Sequence, residues 1–284
     1  MNSGSSGLSH SKDDRDTVLR SSQLYYSRRA RYDDLIAQRQ HDKSKRTFRE
    51  LNFLQWAFKR HSKRPVRRVL DVACGGGRHI VGLAQKGFIC TGQDFSKERV
   101  EVTRARAQRA SARVKVGQGD ATKLTYSGRF DSVLALYLLF LLPSDDDVLA
   151  CLRGAHKALR PGGLLVCNIF NPFSRSPNEL VEIVRSGRST SERHARGVRV
   201  TEIAELERFD AVLGVGWASE TAIAEAPDGV HVFRDREQFR LLTYWDMARY
   251  FRDSKFREVY CYPDWLKKPP RTPRAEQLVF IARK

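Results

Sequence analysis

The sequence predicts an α/β fold in which a doubly wound, mainly parallel sheet carries an antiparallel β insertion. Three patterns predict it: strand-like and helix-like segments alternate through residues 65–170, a glycine-rich turn follows the first strand, and only strand-like segments occupy residues 198–240. Alternation of this kind places helices on both faces of a parallel sheet. The chain has 284 residues, 41% of them hydrophobic, and is therefore large enough to bury a substantial core.

Residues 65–170 form the predicted core of this sheet. Short β-branched or apolar runs predict five strands, with a helix or a loop between each pair. Gly87 ends the first helix, and Ser96 precedes the second as its N-cap. A further helix begins with three aspartates and ends in basic residues, as the helix dipole favours. The strands are predicted at 66–73, 88–94, 114–120, 130–138 and 163–170.

The segment before this core is polar at its start and helical afterwards. Residues 1–16 contain almost no apolar side chains and predict a disordered tail. Residues 17–64 predict two helices, at 17–38 and 42–61, and the second carries a broad apolar stripe that Arg49, Glu50 and Lys59 interrupt.

The segment after the core begins with the insertion, residues 171–242. Its three strands are predicted at 198–208, 212–224 and 229–240, with Asp228-Gly229 as a hairpin turn. Residues 243–284 then return to the core through one helix and two closing strands.

The net charge is strongly positive. The chain holds 51 lysines and arginines against 33 acids, a formal charge of +18, and residues 1–68 alone hold 17 basic and 7 acidic side chains. Such an excess suits nucleic acid, an anionic membrane surface or an acidic substrate, and it equally suits a solvated, arginine-rich surface.

The cysteines and the hydropathy pattern indicate the compartment. The five cysteines lie apart in apolar contexts without a C-x-x-C or Cys/His cluster, so neither a disulfide scaffold nor a metal site is predicted. No apolar run reaches the roughly 20 residues of a membrane span, and the first residues do not resemble a signal peptide. We therefore expect a cytoplasmic protein with no membrane partner.

A glycine-rich turn and three acids form the candidate binding site. Asp71 lies in the first strand, and Gly75 and Gly77 follow on the turn into the first helix, where backbone N–H groups can bind a polar ligand. Asp94 ends the second strand, where a carboxylate can accept hydrogen bonds from ribose hydroxyls, and Asp120 ends the third. Because the carboxyl ends of parallel strands share one edge, we expect these residues to lie together.

Residues 66–170 resemble the core of the class I S-adenosylmethionine-dependent methyltransferases. The matching motifs are LDVACGGGRH, GQDFS, GQGDA and ALRPGG. The resemblance implies a Rossmann-like, seven-stranded sheet and S-adenosylmethionine as the cofactor. It implies that the methionine part of the cofactor lies against Asp71, Ala73, Gly75 and Gly77, the ribose against Asp94, the adenine against Asp120 and Ala121, and the methyl donor beside Tyr137.

Two segments outside that core also resemble parts of small-molecule methyltransferases. YYSRRARYDDL, at 25–35, is similar to their N-terminal helix that closes over the cofactor, which implies a lid in residues 17–64. The insertion is similar to their substrate cover. At the mouth of such a site, Tyr32, Tyr137 and His231 are the candidate catalytic residues, and His79 and Asn168 are further polar neighbours.

The sequence therefore predicts methyl transfer to a nitrogen or oxygen atom of a small molecule, by a monomer or a homodimer. Two alternatives stay open. A nucleic-acid methyltransferase would suit the basic N-terminal helices, and a cofactor-binding partner without turnover would regulate another enzyme. The sequence shows neither an RNA-binding module nor a base-specific motif, which favours the small molecule.

Overall fold

The architecture is taken from a computed structural model of the chain. It describes residues 41–174, 187–195, 197–268 and 275–284, together with positions 17, 20, 24, 26–28 and 30. The predicted tail and the candidate catalytic residue Tyr32 lie outside the described residues.

A seven-stranded sheet forms the centre of the molecule, and the predicted fold class is confirmed. The strands are β1 (Arg68–Asp71), β2 (Ile89–Asp94), β3 (Val114–Gln118), β4 (Phe130–Ala135), β5 (Leu159–Phe170), β10 (Glu258–Pro263) and β11 (Gln277–Arg283). Their order across the sheet is β10-β11-β5-β4-β1-β2-β3. Strands β1 to β5 run parallel, whereas β11 is antiparallel to both of its neighbours, β5 and β10.

Helices cover both faces of this sheet, and their caps agree with local sequence. The Ser96 and Ser144 hydroxyls each accept a backbone N–H of the first helical turn, and Thr243 forms a reciprocal capping box with Asp246. The helices are α1 (His41–His61), α2 (Arg78–Gln85), α3 (Lys97–Arg109), α4 (Asp145–Ala158) and α5 (Tyr244–Asp253). None of the helices within the described ranges has the length and apolar character needed to cross a bilayer.

Two buried clusters lie on opposite faces of the sheet. One packs α4 and α5 against it through residues such as Val148, Leu152 and Phe251. The other packs α1 and α2 against it through residues such as Leu54 and Ile80. All six residues of the central strand β4 are buried, as expected for a strand covered on both faces.

The insertion forms a separate antiparallel sheet of four strands, not three. Strand β6 (Arg188–Ala195, RSTSERHA) was missed because it is polar on both faces and shows no alternation, and it is held by pairing with β7. The other strands are β7 (Val198–Asp210), β8 (Val215–Ala226) and β9 (Gly229–Arg240). Ala226 pairs with Gly229, so the predicted Asp228-Gly229 turn does connect β8 and β9.

Candidate active site

The glycine-rich turn between β1 and α2 depends on the backbone conformation of its glycines. Gly75 and Gly77 have φ of 54° and 78°, in the left-handed region that favours glycine. A Cβ on Gly77 would lie 2.7 Å from the Thr103 side chain, whereas a Cβ on Gly75 would meet no atom within 4 Å. The Thr103 hydroxyl donates to the Gly75 carbonyl at 2.7 Å. Gly77 therefore allows α3 to pack against the turn, and Gly75 leaves open space in front of it.

Asp94, at the end of β2, is tied directly to this turn. Its two carboxylate oxygens accept the Gly75 N–H at 2.8 Å and the Ser96 N–H at 3.0 Å. Burial raises the pKa of Asp94, while these two hydrogen bonds oppose the shift. A carboxylate offers about four acceptor positions, so the backbone contacts with Gly75, Ser96 and Phe95 leave part of that capacity free.

Asp71 lies behind the turn rather than in front of it. Its side chain is buried, and one oxygen accepts the Ala73 N–H at 3.3 Å. Burial, with a smaller effect from the Asp94 charge, raises the pKa of Asp71 to about 7. Asp71 therefore supports the turn from within the core.

The segment after β3 presents the third strand-end acid. Asp120 accepts the backbone N–H and the hydroxyl of Thr122, at 2.8 Å and 2.7 Å, and thereby starts the short 3₁₀ helix Ala121–Lys123. Both Asp120 and Ala121 face the cavity described next.

These elements border one cavity of about 840 Å³ at the carboxyl ends of the parallel strands. Its volume lies within the usual range for small-molecule sites. The structure brings Ala73, Gly75, Asp94, Asp120, Ala121 and Tyr137 together on its wall, while Asp71 and Gly77 stand behind the turn. The remaining wall comes from α1, from the loop after β4 and from the antiparallel sheet.

Tyr137 is held in an unusual backbone conformation beside this cavity. It has φ of 56°, and its N–H donates to the fully buried Asn168 side chain at 2.9 Å. Asn168 in turn donates to Gln277 at 3.3 Å. The predicted mouth residue Asn168 is therefore a buried support of the loop that carries Tyr137.

A buried carboxylate that the sequence did not single out fixes the Tyr137 hydroxyl. Glu50, on α1, is fully buried and accepts the Tyr137 hydroxyl at 2.6 Å. It also contacts His79 Nε2 at 2.7 Å, Arg46 Nε at 3.0 Å and the Arg78 guanidinium. The only available sequence signal was an acid interrupting the apolar stripe of a helix.

Charge in this cluster is concentrated on Glu50 and the two arginines. Burial tends to raise the pKa of Glu50, but the hydrogen bond with His79 and the charge of Arg78 lower it well below the usual range. Burial and Arg78 lower the pKa of His79 to about 4, so its ring is neutral at pH 7. The Arg46 and Arg78 guanidinium carbons lie 4.8 Å and 5.3 Å from the centre of the Tyr137 ring, where both gain cation–π attraction.

The antiparallel sheet contributes an acidic wall opposite the glycine-rich turn. Glu202, Glu220 and Glu237, on three successive strands, border the cavity together with Arg193. Arg193 pairs with Glu202 at 2.6 Å. The Tyr26 hydroxyl donates to Glu237 at 2.6 Å, and burial together with the Glu237 charge raises the pKa of Tyr26.

His231 lies away from this cavity. It is the third residue of β9, near the hairpin turn, and its Nε2 is 3.3 Å from an oxygen of Asp228. The cavity wall does not include it. Sequence position alone placed His231 on a strand, but it did not show which end of the hairpin approaches the core.

Comparisons with known proteins agree with this geometry. Residues 69–163 match the family model described as methyltransferase domain, as the resemblance predicted. Over 113 residues the chain is 34% identical to the ubiquinone biosynthesis O-methyltransferase of Alkalilimnicola ehrlichii, an alignment that covers 39% of this chain and 43% of that protein. The chain spans about half the length, or less, of the curated relatives it matches.

Solved structures match over a longer part of the chain. An S-adenosylmethionine-dependent methyltransferase from Clostridium acetobutylicum has a TM-score of 0.68 at 14% identity, with 89% of this chain and 95% of that chain covered. The sugar N-methyltransferase KedS8 from Streptoalloteichus has a TM-score of 0.64 at 19% identity, with 84% and 88% covered. At these identities the likeness shows the fold alone.

Proposed function

We propose that this protein transfers a methyl group from S-adenosylmethionine to a nitrogen or oxygen atom of a small molecule, because residues 69–163 match the methyltransferase-domain model and the fold is like that of a solved S-adenosylmethionine-dependent methyltransferase. One observation carries the proposal. A single cavity is bordered on one side by the glycine-rich turn and the strand-end acids, and on the other by the antiparallel sheet. A cofactor and an acceptor can therefore bind side by side in this one cavity.

The residues on the cavity wall fit S-adenosylmethionine. The open space at Gly75 and the spare acceptor positions of Asp94 suit the methionine chain and the ribose hydroxyls. Asp120 and Ala121 are available to the adenine. Arg46 and Arg78, which the sequence did not single out, offer guanidinium groups to the cofactor carboxylate.

When bound, the cofactor supplies an electrophilic methyl group that a nucleophile attacks in line. The protein's contribution is to hold the acceptor about 3–3.5 Å from that carbon and to exclude water. Tyr137 contributes position rather than basicity, because its hydroxyl proton is directed to Glu50, and burial and the Glu50 charge raise its pKa. The neutral hydroxyl and ring thus form a fixed wall.

Glu202, Glu220 and Glu237 favour an amine among the possible acceptors. An acidic wall attracts a protonated amine and repels a carboxylate or a phosphate. A carboxylate there can also accept the proton that an ammonium group must lose before its nitrogen attacks.

We also propose that residues 17–64 act as a lid and residues 171–242 as a substrate cover. Described residues of the N-terminal segment contact both sides of the cavity. The Tyr26 carbonyl accepts Arg99 Nε at 3.0 Å while its hydroxyl reaches Glu237, and the Ser27 hydroxyl donates to Ser96 at 2.8 Å. These contacts join the core to the antiparallel sheet across the cavity.

Binding of S-adenosylhomocysteine by calorimetry tests the cofactor site. Asp94→Ala removes an acceptor of ribose hydroxyls and should cost about 1.5–3 kcal/mol per lost hydrogen bond, or at least tenfold in affinity. Asp253→Ala, at an exposed position on α5, is the matched control and should bind normally. Equal affinities in the two variants would remove Asp94 from the site.

Turnover with isotope-labelled S-adenosylmethionine tests the acceptor. We expect labelling of small amines in preference to carboxylic acids of similar size, and loss of that preference in a Glu220→Gln, Glu237→Gln variant. Robust labelling of RNA would support the nucleic-acid alternative. Binding of the cofactor without turnover on any acceptor in a metabolite extract would support the regulatory one.

A further inference from the structure

A second concave surface lies at the opposite end of the parallel strands. Its cavity has a volume of about 600 Å³, and it is bordered by the amino ends of β1, β2, β3 and β4 and by α3. The candidate active site lies at the carboxyl ends of the same strands. Because β2 has six residues, and each residue rises about 3.3 Å, the two sites are roughly 16 Å apart.

Basic side chains from several elements converge on this second cavity. They are Arg68 at the start of β1, Arg104 on α3, Arg113 and Lys115 at the start of β3, and Arg129 before β4. No aspartate or glutamate is among the described residues that border the cavity. Within the described ranges, no carboxylate forms an ion pair with any of these five side chains. The cavity is therefore strongly electropositive.

Neighbouring groups orient some of these cations without neutralising them. Arg104 donates to the Val116 carbonyl at 3.1 Å, and Arg129 lies over the Tyr126 ring at 6.0 Å. Asp131 accepts the backbone N–H of Arg68 at 2.8 Å, but its other oxygen pairs with Arg160 at 3.1 Å. Like charges that border one cavity repel one another, and an anion bound between them relieves that repulsion.

The cavity also has an apolar part. Ile89, the first residue of β2, is 58% exposed, and Ala107 and Ala112 lie on the same wall. The aromatic residue on this wall, Phe130, is only 3% exposed and offers no face on which a base could stack. A single-stranded nucleic acid would need such a stacking surface. The combination suits a small phosphorylated ligand better than a nucleic-acid strand.

We propose that this cavity is a binding site for a small ligand that carries a phosphate or diphosphate group. The guanidinium groups bind the phosphate oxygens through charge-assisted hydrogen bonds, for which arginine has the matching geometry. The organic part of the ligand packs against Ile89. The site is separate from the methyl-transfer cavity and does not depend on the function proposed for it.

Calorimetry on the full chain tests this site with uridine 5′-diphosphate, pyrophosphate and uridine. A uridine probe avoids the adenine-binding side of the other cavity. We expect both anions to bind with affinities that fall as salt is added, and uridine alone not to bind. A saturating amount of S-adenosylhomocysteine should leave the binding of both anions unchanged.

A pair of charge-matched variants assigns the binding to this cavity. Arg113→Ala, Lys115→Ala should weaken it about tenfold or more, as loss of charge-assisted hydrogen bonds predicts. Arg153→Ala, Lys157→Ala removes two exposed cations from α4 and should leave it unchanged. All four positions are exposed, so both variants should fold.

Several outcomes would overturn the proposal. They are no measurable binding of either anion, equal binding by the two variants, or displacement of the anions by S-adenosylhomocysteine. Binding of a single-stranded RNA that the first variant loses, without binding of the small anions, would identify the face as a nucleic-acid surface instead.

Discussion

Replacing Glu50 by glutamine tests the buried charge cluster beside the candidate active site. The Glu50 carboxylate accepts from Tyr137, contacts His79 at 2.7 Å and neutralises Arg46 and Arg78. Glutamine keeps the shape of the side chain, but it replaces one acceptor oxygen by an amino group that faces other donors. It also leaves the two guanidinium groups without their counter-charge.

The expected loss of stability follows from the burial of the partners. Breaking a fully buried ion pair costs about 3–5 kcal/mol. Here the carboxylate is fully buried, but the Arg46 and Arg78 side chains are 42% and 30% exposed, so water compensates part of the loss. We therefore expect Glu50→Gln to lower the free energy of unfolding by about 2–3 kcal/mol at pH 7.

Urea unfolding measures this loss against an exposed glutamate. Glu101→Gln, on the solvent side of α3, should change the free energy of unfolding by less than about 0.5 kcal/mol. Because the folded pKa of Glu50 is lowered, its contribution is complete above the ordinary glutamate pKa of about 4.3 and is lost as the pH falls further. The difference between wild type and Glu50→Gln should therefore shrink below about pH 4.

Equal stability of Glu50→Gln and Glu101→Gln at pH 7 would show that the cluster does not depend on the Glu50 charge. A deficit of Glu50→Gln that grows on acidification would assign the proton-linked stabilisation to another group.

Three further changes test other parts of the structure. Gly77→Ala should lower the free energy of unfolding by about 2 kcal/mol or more, because φ is 78° and the new Cβ would meet Thr103. Gly128→Ala, at φ 55° with open space around it, should cost only about 1 kcal/mol, and equal losses in urea unfolding would contradict the close approach of α3. His79→Gln removes a group that the unfolded chain protonates below about pH 6.5 but the folded chain protonates only near pH 4. The stability of wild type relative to this variant should therefore fall by up to about 3 kcal/mol as the pH is lowered from about 6.5 to about 4, and a constant difference would contradict a neutral His79. Tyr26→Phe removes the hydroxyl that donates to Glu237 and should cost about 1–3 kcal/mol and raise the acceptor KM. Tyr244→Phe, at an exposed position, should alter neither, and normal kinetics in Tyr26→Phe would argue against the lid.

Part of the candidate site was predictable because parallel strands end at a common edge. Asp94, Asp120 and Tyr137 follow successive strands, and alternation of strands with helices was enough to bring them together. The burial of Asp71 could not be predicted in the same way. Its position near a strand end was correct, but burial of that side chain depends on the packing around the turn.

Periodicity could not identify elements that depend on their partners. Strand β6 is polar on both faces and forms because β7 supplies its hydrogen bonds. Glu50 interrupts an apolar stripe, and only the fold shows that Arg46, Arg78, His79 and Tyr137 surround it.

The sequence by itself determined local features of this protein: the order of strands and helices in the central sheet, the glycines of the turn, and the cap at Ser96. Each depends on a few neighbouring residues, through backbone conformation, capping or hydrophobic period. The tertiary structure alone decided which distant groups meet. Glu50 and Tyr137 are 87 positions apart, and the acidic wall opposite the glycine-rich turn comes from three strands of another sheet. Such contacts depend on how whole surfaces pack together, and no local pattern in the chain encodes that arrangement.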